Sequence, residues 1–152
     1  MLLREAHSEE LAALTELCLR SKAVWGYDAD FMRACRAELT LTPAALDQSH
    51  VQVAEIGGCP AGIVQVSIRG DEAQLDKLFV APDRLRSGVG RDLLLWAAAK
   101  ARKSGACTLV IEADPGAAAF YKHFGAVDDG LVPSGSITGR FLPRLVLALK
   151  DL

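Results

Sequence analysis

Residues 78–94 constrain the chain more than any other stretch. Leu78, Phe79 and Val80 are apolar and β-prone, and Pro82 ends that strand because it has no N–H for a ladder. Gly88 and Gly90 follow, and glycines tolerate positive φ and let another molecule approach the backbone. Leu93, Leu94, Trp96, Ala97 and Ala101 then recur at helical spacing. A glycine turn feeding a helix start leaves several N–H groups without partners beside a partial positive charge, which suits a phosphate or pyrophosphate. Two known phosphate loops are excluded. Gly90-Arg91-Asp92 lacks the Gly-Lys-Ser/Thr of a Walker loop, and Leu93 stands where a dinucleotide fingerprint has its third glycine.

The 152 residues make one ordinary domain, 1–152, which buries roughly 70% of its unfolded surface. With 51% apolar residues it is not a disordered chain. No apolar run reaches the ~20 residues of a membrane helix, and Met1-Leu2-Leu3-Arg4 is charged too soon for a signal peptide. A net charge of −2 gives no reason to expect nucleic acid. Cys18, Cys35, Cys59 and Cys107 are scattered and read as reduced core thiols, with no metal site and no disulfide framework. A cytoplasmic enzyme or binding domain is the expectation.

Along the chain, residues 2–6 read as a first strand. Ser8 is the expected cap of a helix with Leu11, Leu14, Leu17 and Cys18 inward and Arg20 and Lys22 late. Gly26 breaks it and leaves Trp25 and Tyr27 on a loop, to cover the core edge or to wall a substrate pocket. Asp28 or Asp30 caps a second helix on which Phe31, Ala34, Cys35 and Glu38 share a stripe, and Thr42-Pro43 starts a short third. Residues 51–56, 61–68 and 73–80 form a meander joined at Gly57-Gly58 and Gly70-Asp71. Along its last strand Gln74, Asp76, Leu78 and Val80 are expected on one face. After the glycine helix, which Gly105 closes, Thr108-Leu109-Val110-Ile111 must run parallel to the strand before it, by a right-handed crossover. Asp114-Pro115 opens a last helix, Gly125 ends it, and strands at 127–132 and 145–149 flank a loop at 133–140.

Residues 78–94 resemble motif A of the GNAT superfamily of acyl-CoA N-acyltransferases: an apolar strand, Val-x-Pro, a basic loop, then Q/R-x-x-G-x-G/A opening a helix. Leu85-Arg86-Ser87-Gly88-Val89-Gly90 occupies the loop, with Leu85 where Gln or Arg is usual and Arg84 and Arg86 beside it. Asp114-Pro115-Gly116-Ala117-Ala118-Ala119-Phe120-Tyr121, closing at Gly125-Ala126, resembles motif B. The tail from Ser134 to Pro143 is similar to one found in a subset of bacterial GNAT proteins. The resemblance implies an α/β fold with a mixed, mostly antiparallel central sheet, a splayed parallel pair and helices on both faces.

It also implies a site. Acetyl-CoA would lie in the splay, its pantetheine against Leu78, Phe79 and Val80 and its pyrophosphate on the amides of Arg86, Ser87, Gly88, Val89 and Gly90, with Leu85 and Arg91 also in contact with the cofactor. Arg84, Arg86 and Arg91 would offset its charge or else be solvated surface. Asp114, Ala117 and Phe120 would complete the pocket. Tyr121 matches the family tyrosine that serves the leaving thiolate; the plain alternative is a core Tyr. A Tyr near pKa ~10 facing a thiol near ~8.5 is uphill by roughly 2 kcal/mol, so stabilising developing charge is its expected task. Asp76 is the expected base or water-positioner for the amine, Glu112 a weaker one, and His7, His50 and His123 do not cluster. Trp25, Tyr27, Ser134, Ser136 and Arg140 are expected to line the acceptor side, with Arg140 gripping a carboxylate or binding loop carbonyls. The expected reaction is N-acetylation of a primary amine on a small molecule or peptide, with no nucleic acid, membrane or metal involved. A homodimer through the last strands is a family-level expectation. The alternative is a protein that holds CoA without turnover.

Overall fold

The computed structural model describes the backbone of residues 1–152 and every side chain except that of residue 151. β1 (Leu2–Glu5) leads through a 3-10 turn (Ser8–Glu10) into α1 (Leu11–Ala23). The cap is not Ser8, whose hydroxyl turns to Glu9; the His7 N–H donates to Glu10 Oε2 at 2.7 Å and holds the turn one residue earlier. α2 (Ala29–Leu39) starts at Asp28, which accepts the Phe31 N–H at 2.8 Å, and α3 (Pro43–Gln48) starts at Thr42 in the same way. The meander is β2 (His50–Ile56), β3 (Cys59–Arg69) and β4 (Glu72–Val80). Then come α4 (Val89–Lys103), β5 (Thr108–Glu112), α5 (Ala118–His123), β6 (Val127–Pro133) and β7 (Phe141–Ala148). β7 starts at Phe141 rather than Leu145, running through Pro143. That proline offers its carbonyl to the Ala113 N–H at 2.9 Å just past the end of β5, where a missing N–H costs no ladder bond.

The strands form one sheet in the order β1-β2-β3-β4-β5-β7-β6, antiparallel except for β4 and β5. α4 and α5 cover one face through Leu93, Leu94, Leu109, Ile111 and Leu145; α1 and α2 cover the other through Leu14, Leu17, Val53 and Ile63. Truncating any of these fully buried leucines to Ala would cost about 2–5 kcal/mol. α4 sits so close to β3 that a Cβ on Gly62 would lie 2.8 Å from Val89 Cγ1. Cys18 and Cys35 are in the core, but Cys59 at a strand start and Cys107 before β5 are exposed, so the expectation of core thiols fails for these two.

Two departures in β4 position the site. The parallel pairing runs only from Glu72↔Thr108 to Leu75↔Ile111, after which β5 turns toward β7 and the strands splay. At the same point Asp76 is an extra residue in the β3–β4 ladder, a β-bulge between Leu75↔Val66 and Lys77↔Gln65. Ala73 and Leu75 pack beneath α4, and so do Leu78 and Val80. The expectation that Gln74, Asp76, Leu78 and Val80 share a face is therefore wrong, because the bulge reverses the alternation between Gln74 and Leu78.

Candidate active site

The splay between β4 and β5 is a cavity of about 640 Å³. Its walls include Leu78, Phe79 and Val80 of β4, Gly88, Gly90 and Arg91 at the start of α4, and Ala117, Phe120 and Tyr121 around the start of α5. Trp25, Asp76, Leu85, Arg86, Asp114, Ser134, Ser136 and Arg140 also reach it. Tyr27, Arg84, Ser87 and Val89, expected in the site, do not line it. Val89 is buried beneath α4, the Ser87 hydroxyl donates to the Arg84 carbonyl, and Arg84 sits on the exposed turn before the glycines.

The glycine turn is a row of free donors. Among the described residues, no backbone or side-chain group accepts from the amides of residues 85–91, while the Asp92 N–H already closes on Gly88 at 3.0 Å. Arg86, at φ 62°, is the only non-glycine among the described residues with positive φ, and Gly88 follows at 87°. Left-handed residues at this spacing turn successive N–H groups inward into an anion-binding nest, and a non-glycine held there stores local strain. Gly90 lies against Phe120 and Val80, where an added Cβ would come within 3.4 Å of the Phe120 ring.

Tyr121 is 7% exposed, at the inner wall. Burial first, and then the Asp114 carboxylate, raise its pKa well above the ordinary 10.0, so the phenol keeps its proton. Asp76 stands in the bulge, hydrogen-bonded by the Ser67 hydroxyl. Desolvation by the crevice walls raises its pKa, against Ser67, Lys77 and Arg69, which lower it.

Opposite them is a side-chain knot that the sequence does not announce. The Tyr27 hydroxyl donates to Asp114 Oδ2 at 2.7 Å and accepts from the Arg140 guanidinium at 2.7 Å. Lys22 Nζ is 3.3 Å and Arg140 3.6 Å from the same carboxylate oxygen. The Tyr27 ring stacks on Phe31 at 3.9 Å, and both cations lie over these rings. Asp114 also caps the next turn by accepting the Gly116 N–H at 3.0 Å. Burial opposes its charge, yet Tyr27, Gly116 and Lys22 together hold its pKa below the ordinary value. Burial and the Asp114 carboxylate push Tyr27 up to about 12. Arg140 thus grips a carboxylate of the protein itself.

Ser136 donates to Glu38 of α2, and Ser134 Oγ accepts the N–H groups of Ser136 and Ile137 at 3.1 and 3.0 Å. Both expected acceptor hydroxyls are occupied in holding the 134–140 loop. A second, polar cavity of about 470 Å³ meets the first at Glu38, Leu75, Asp76, Lys77, Glu112 and Leu142. Glu38 and Lys77 were not singled out from sequence. A carboxylate on the inward stripe of α2 was the available signal for Glu38, whereas Lys77 faces this way only because of the bulge.

No group of three His, Cys, Asp or Glu among the described residues is arranged to hold a metal, and no helix there is long and apolar enough to cross a membrane. Among curated proteins, none matches the chain. Solved structures do. PaiA N-acetyltransferase from Thermoplasma acidophilum, in complex with coenzyme A, superposes with TM-score 0.80 at 17% identity over 97% of this chain and 98% of that one. A GCN5-related N-acetyltransferase from Rhodopseudomonas palustris gives 0.79 at 23% identity over 97% and 94%. Ribosomal-protein-S18-alanine N-acetyltransferase from Escherichia coli gives 0.73 at 19% identity over 97% and 93%. These likenesses establish the fold. The model of the acetyltransferase (GNAT) family matches residues 11–126, most of the chain, and the protein belongs to that family.

Proposed function

We propose that this single domain is an N-acetyltransferase that moves the acetyl group of acetyl-CoA onto a primary amine by direct attack. The observation that carries it is the meeting, in one cavity, of Leu85, Arg86, Gly88, Gly90 and Arg91, whose amides are unpartnered, with the buried, protonated Tyr121. The nest and the cations Arg86 and Arg91 suit a pyrophosphate. Beyond the bulge, β4 has no partner on its β5 side, so its backbone near Leu78 and Val80 is free to pair with the amides of a pantetheine arm. Asp114, expected to touch the cofactor, acts instead through the knot, as a positioning residue for the turn that carries Tyr121.

The acceptor must lose a proton before it attacks, because an alkylammonium near pKa ~10 has no lone pair to offer. Asp76, with its pKa raised by desolvation and a place at the junction of the two cavities, receives that proton directly or through water. The amine nitrogen bonds to the thioester carbonyl, the carbon–sulfur bond breaks, and the thiolate leaves toward Tyr121. A phenol whose pKa lies so far above that of a thiol stabilises the developing charge by donating a hydrogen bond rather than by giving its proton away outright. The proton taken by Asp76 passes to solvent, a second proton leaves nitrogen as the amide forms, and the thiolate takes one up to depart as the thiol.

Two measurements test this reading. Calorimetric titration with CoA should show binding, and a panel of primary amines should drive thiol release from acetyl-CoA. Binding without thiol release across the panel would make the protein a CoA-holding module; absence of binding would remove the nest from the site.

A further inference from the structure

The sequence points to an acceptor entering between the α1–α2 segment and the 134–140 loop, where the polar side chains are already engaged with one another. Tyr27, Lys22 and Arg140 are drawn together on Asp114, and Ser136 is tied to Glu38. A separate approach with unpaired polar groups is the second cavity, on the α3 side of the sheet, about 470 Å³ and within the size range of small-ligand sites. It joins the crevice where three carboxylates, Glu38, Asp76 and Glu112, stand with the one cation Lys77, so the local balance is negative and an incoming ammonium is drawn to the place where it must be deprotonated. Away from that junction the chemistry changes. The carboxamides of Gln48 and Gln74 have no protein partner among the described residues, whereas the Ser49 hydroxyl donates to the Ala45 carbonyl and accepts from Gln65. No aromatic ring lines the groove, no carboxylate lines it beyond the junction, and Arg69 does.

On the acyltransfer reading above, we propose that the acceptor occupies this groove and is a primary amine on a small polyhydroxylated body, of the amino-sugar or amino-alcohol class. Free carboxamides pair with hydroxyls of either polarity, since each carboxamide both donates and accepts. A diamine would bring its second cation to the part of the groove that offers Arg69 and no anion. An aromatic amine would desolvate Gln48 and Gln74 without replacing their hydrogen bonds.

The test uses D-glucosamine, 1,4-diaminobutane and 2-phenylethylamine as probes, with thiol release from acetyl-CoA as the readout and CoA calorimetry alongside. Glucosamine should be turned over with kcat/KM at least tenfold above the other two. Gln74→Trp, which fills the groove, should raise its KM at least tenfold, and the milder Gln48→Ala, on the exposed side of α3, should raise it severalfold. Neither should change CoA affinity. Preference for the diamine or the aromatic amine overturns the proposal, as does an unchanged glucosamine KM in both folded variants. So does the absence of turnover with all three amines by a protein that binds CoA. A protein that neither binds CoA nor releases thiol overturns the acyltransfer reading beneath it.

Discussion

The glycine turn at 85–91 and the knot at Asp114 border the same cavity and are built from different materials. The turn works with backbone: its donors are amides, its shape comes from Arg86 and Gly88 at positive φ, and its residues are contiguous. The knot works with side chains: Lys22, Tyr27, Asp114 and Arg140 come from three distant segments and are held by partly buried hydrogen bonds. A backbone site tolerates side-chain change and fails on close approach. A side-chain site has the opposite vulnerabilities.

The largest expected effect falls on Tyr121, which stands between the two. Tyr121→Phe keeps the ring in its packing and removes the hydroxyl, so kcat should fall on the order of 10²-fold with acetyl-CoA affinity unchanged. Steady-state kinetics where chemistry limits turnover, with an unaltered kcat, would return Tyr121 to a packing role.

Next comes the knot itself. Asp114→Asn keeps the shape but leaves Lys22 and Arg140 without their anion, and should cost about 2 kcal/mol in chemical denaturation. The pH dependence has a definite sign. The folded-state pKa of Asp114 lies below its ordinary 3.8, so its contribution is fully present above that pH and is lost as pH falls through the folded value. The stability gap between wild type and variant should therefore be constant near neutrality and shrink in acid. A gap of zero at neutral pH would show that the knot is decorative.

The turn should answer the other way. Gly90→Val brings a branched side chain against Phe120 without the positive φ that would confound a change at Gly88. CoA affinity should fall about tenfold, or 1.4 kcal/mol. Ser87→Ala, which touches only the Arg84 carbonyl, should leave it within error. If Ser87→Ala weakens CoA as much as Gly90→Val does, the backbone account of the turn fails.

The smallest effect is on Asp76. The Ser67 hydroxyl stabilises its charged form, so Ser67→Ala should raise the Asp76 pKa further and move the acid limb of the kcat/KM profile to higher pH. A limb that stays in place would take the proton from some other group.

This contrast also explains what could be read in advance. Strand, proline, glycines and helix follow one another in sequence, so local rules placed the turn, and the two apolar stripes placed α1 and α4 against their faces. Asp28, Thr42 and Asp114 were legible as caps because a cap acts within three residues. The partners of Asp114 lie 92, 87 and 26 positions away (residues 22, 27 and 140), and no local rule links them. Arg140 was expected to hold a ligand's carboxylate; nothing in its neighbourhood in sequence indicates that the protein supplies that carboxylate. The face of Gln74 was misassigned for a related reason: a bulge is set by how β3 and β4 pair, and alternation along one strand cannot reveal it.

The bulge at Asp76 has an architectural consequence. A regular strand commits every second residue to one side from end to end, so whatever its first half presents to solvent constrains its second half. One supernumerary residue cancels that commitment. Upstream of it, Gln74 addresses the groove; downstream, Leu78 and Val80 resume the packing under α4 while Lys77 and Phe79 turn to the other helical layer. The two halves of β4 behave as separate modules joined by a hinge in register rather than in space. Substitutions at Gln74 can retune one ligand surface without disturbing the other, whereas deleting a single residue from β4 would invert one half against its core.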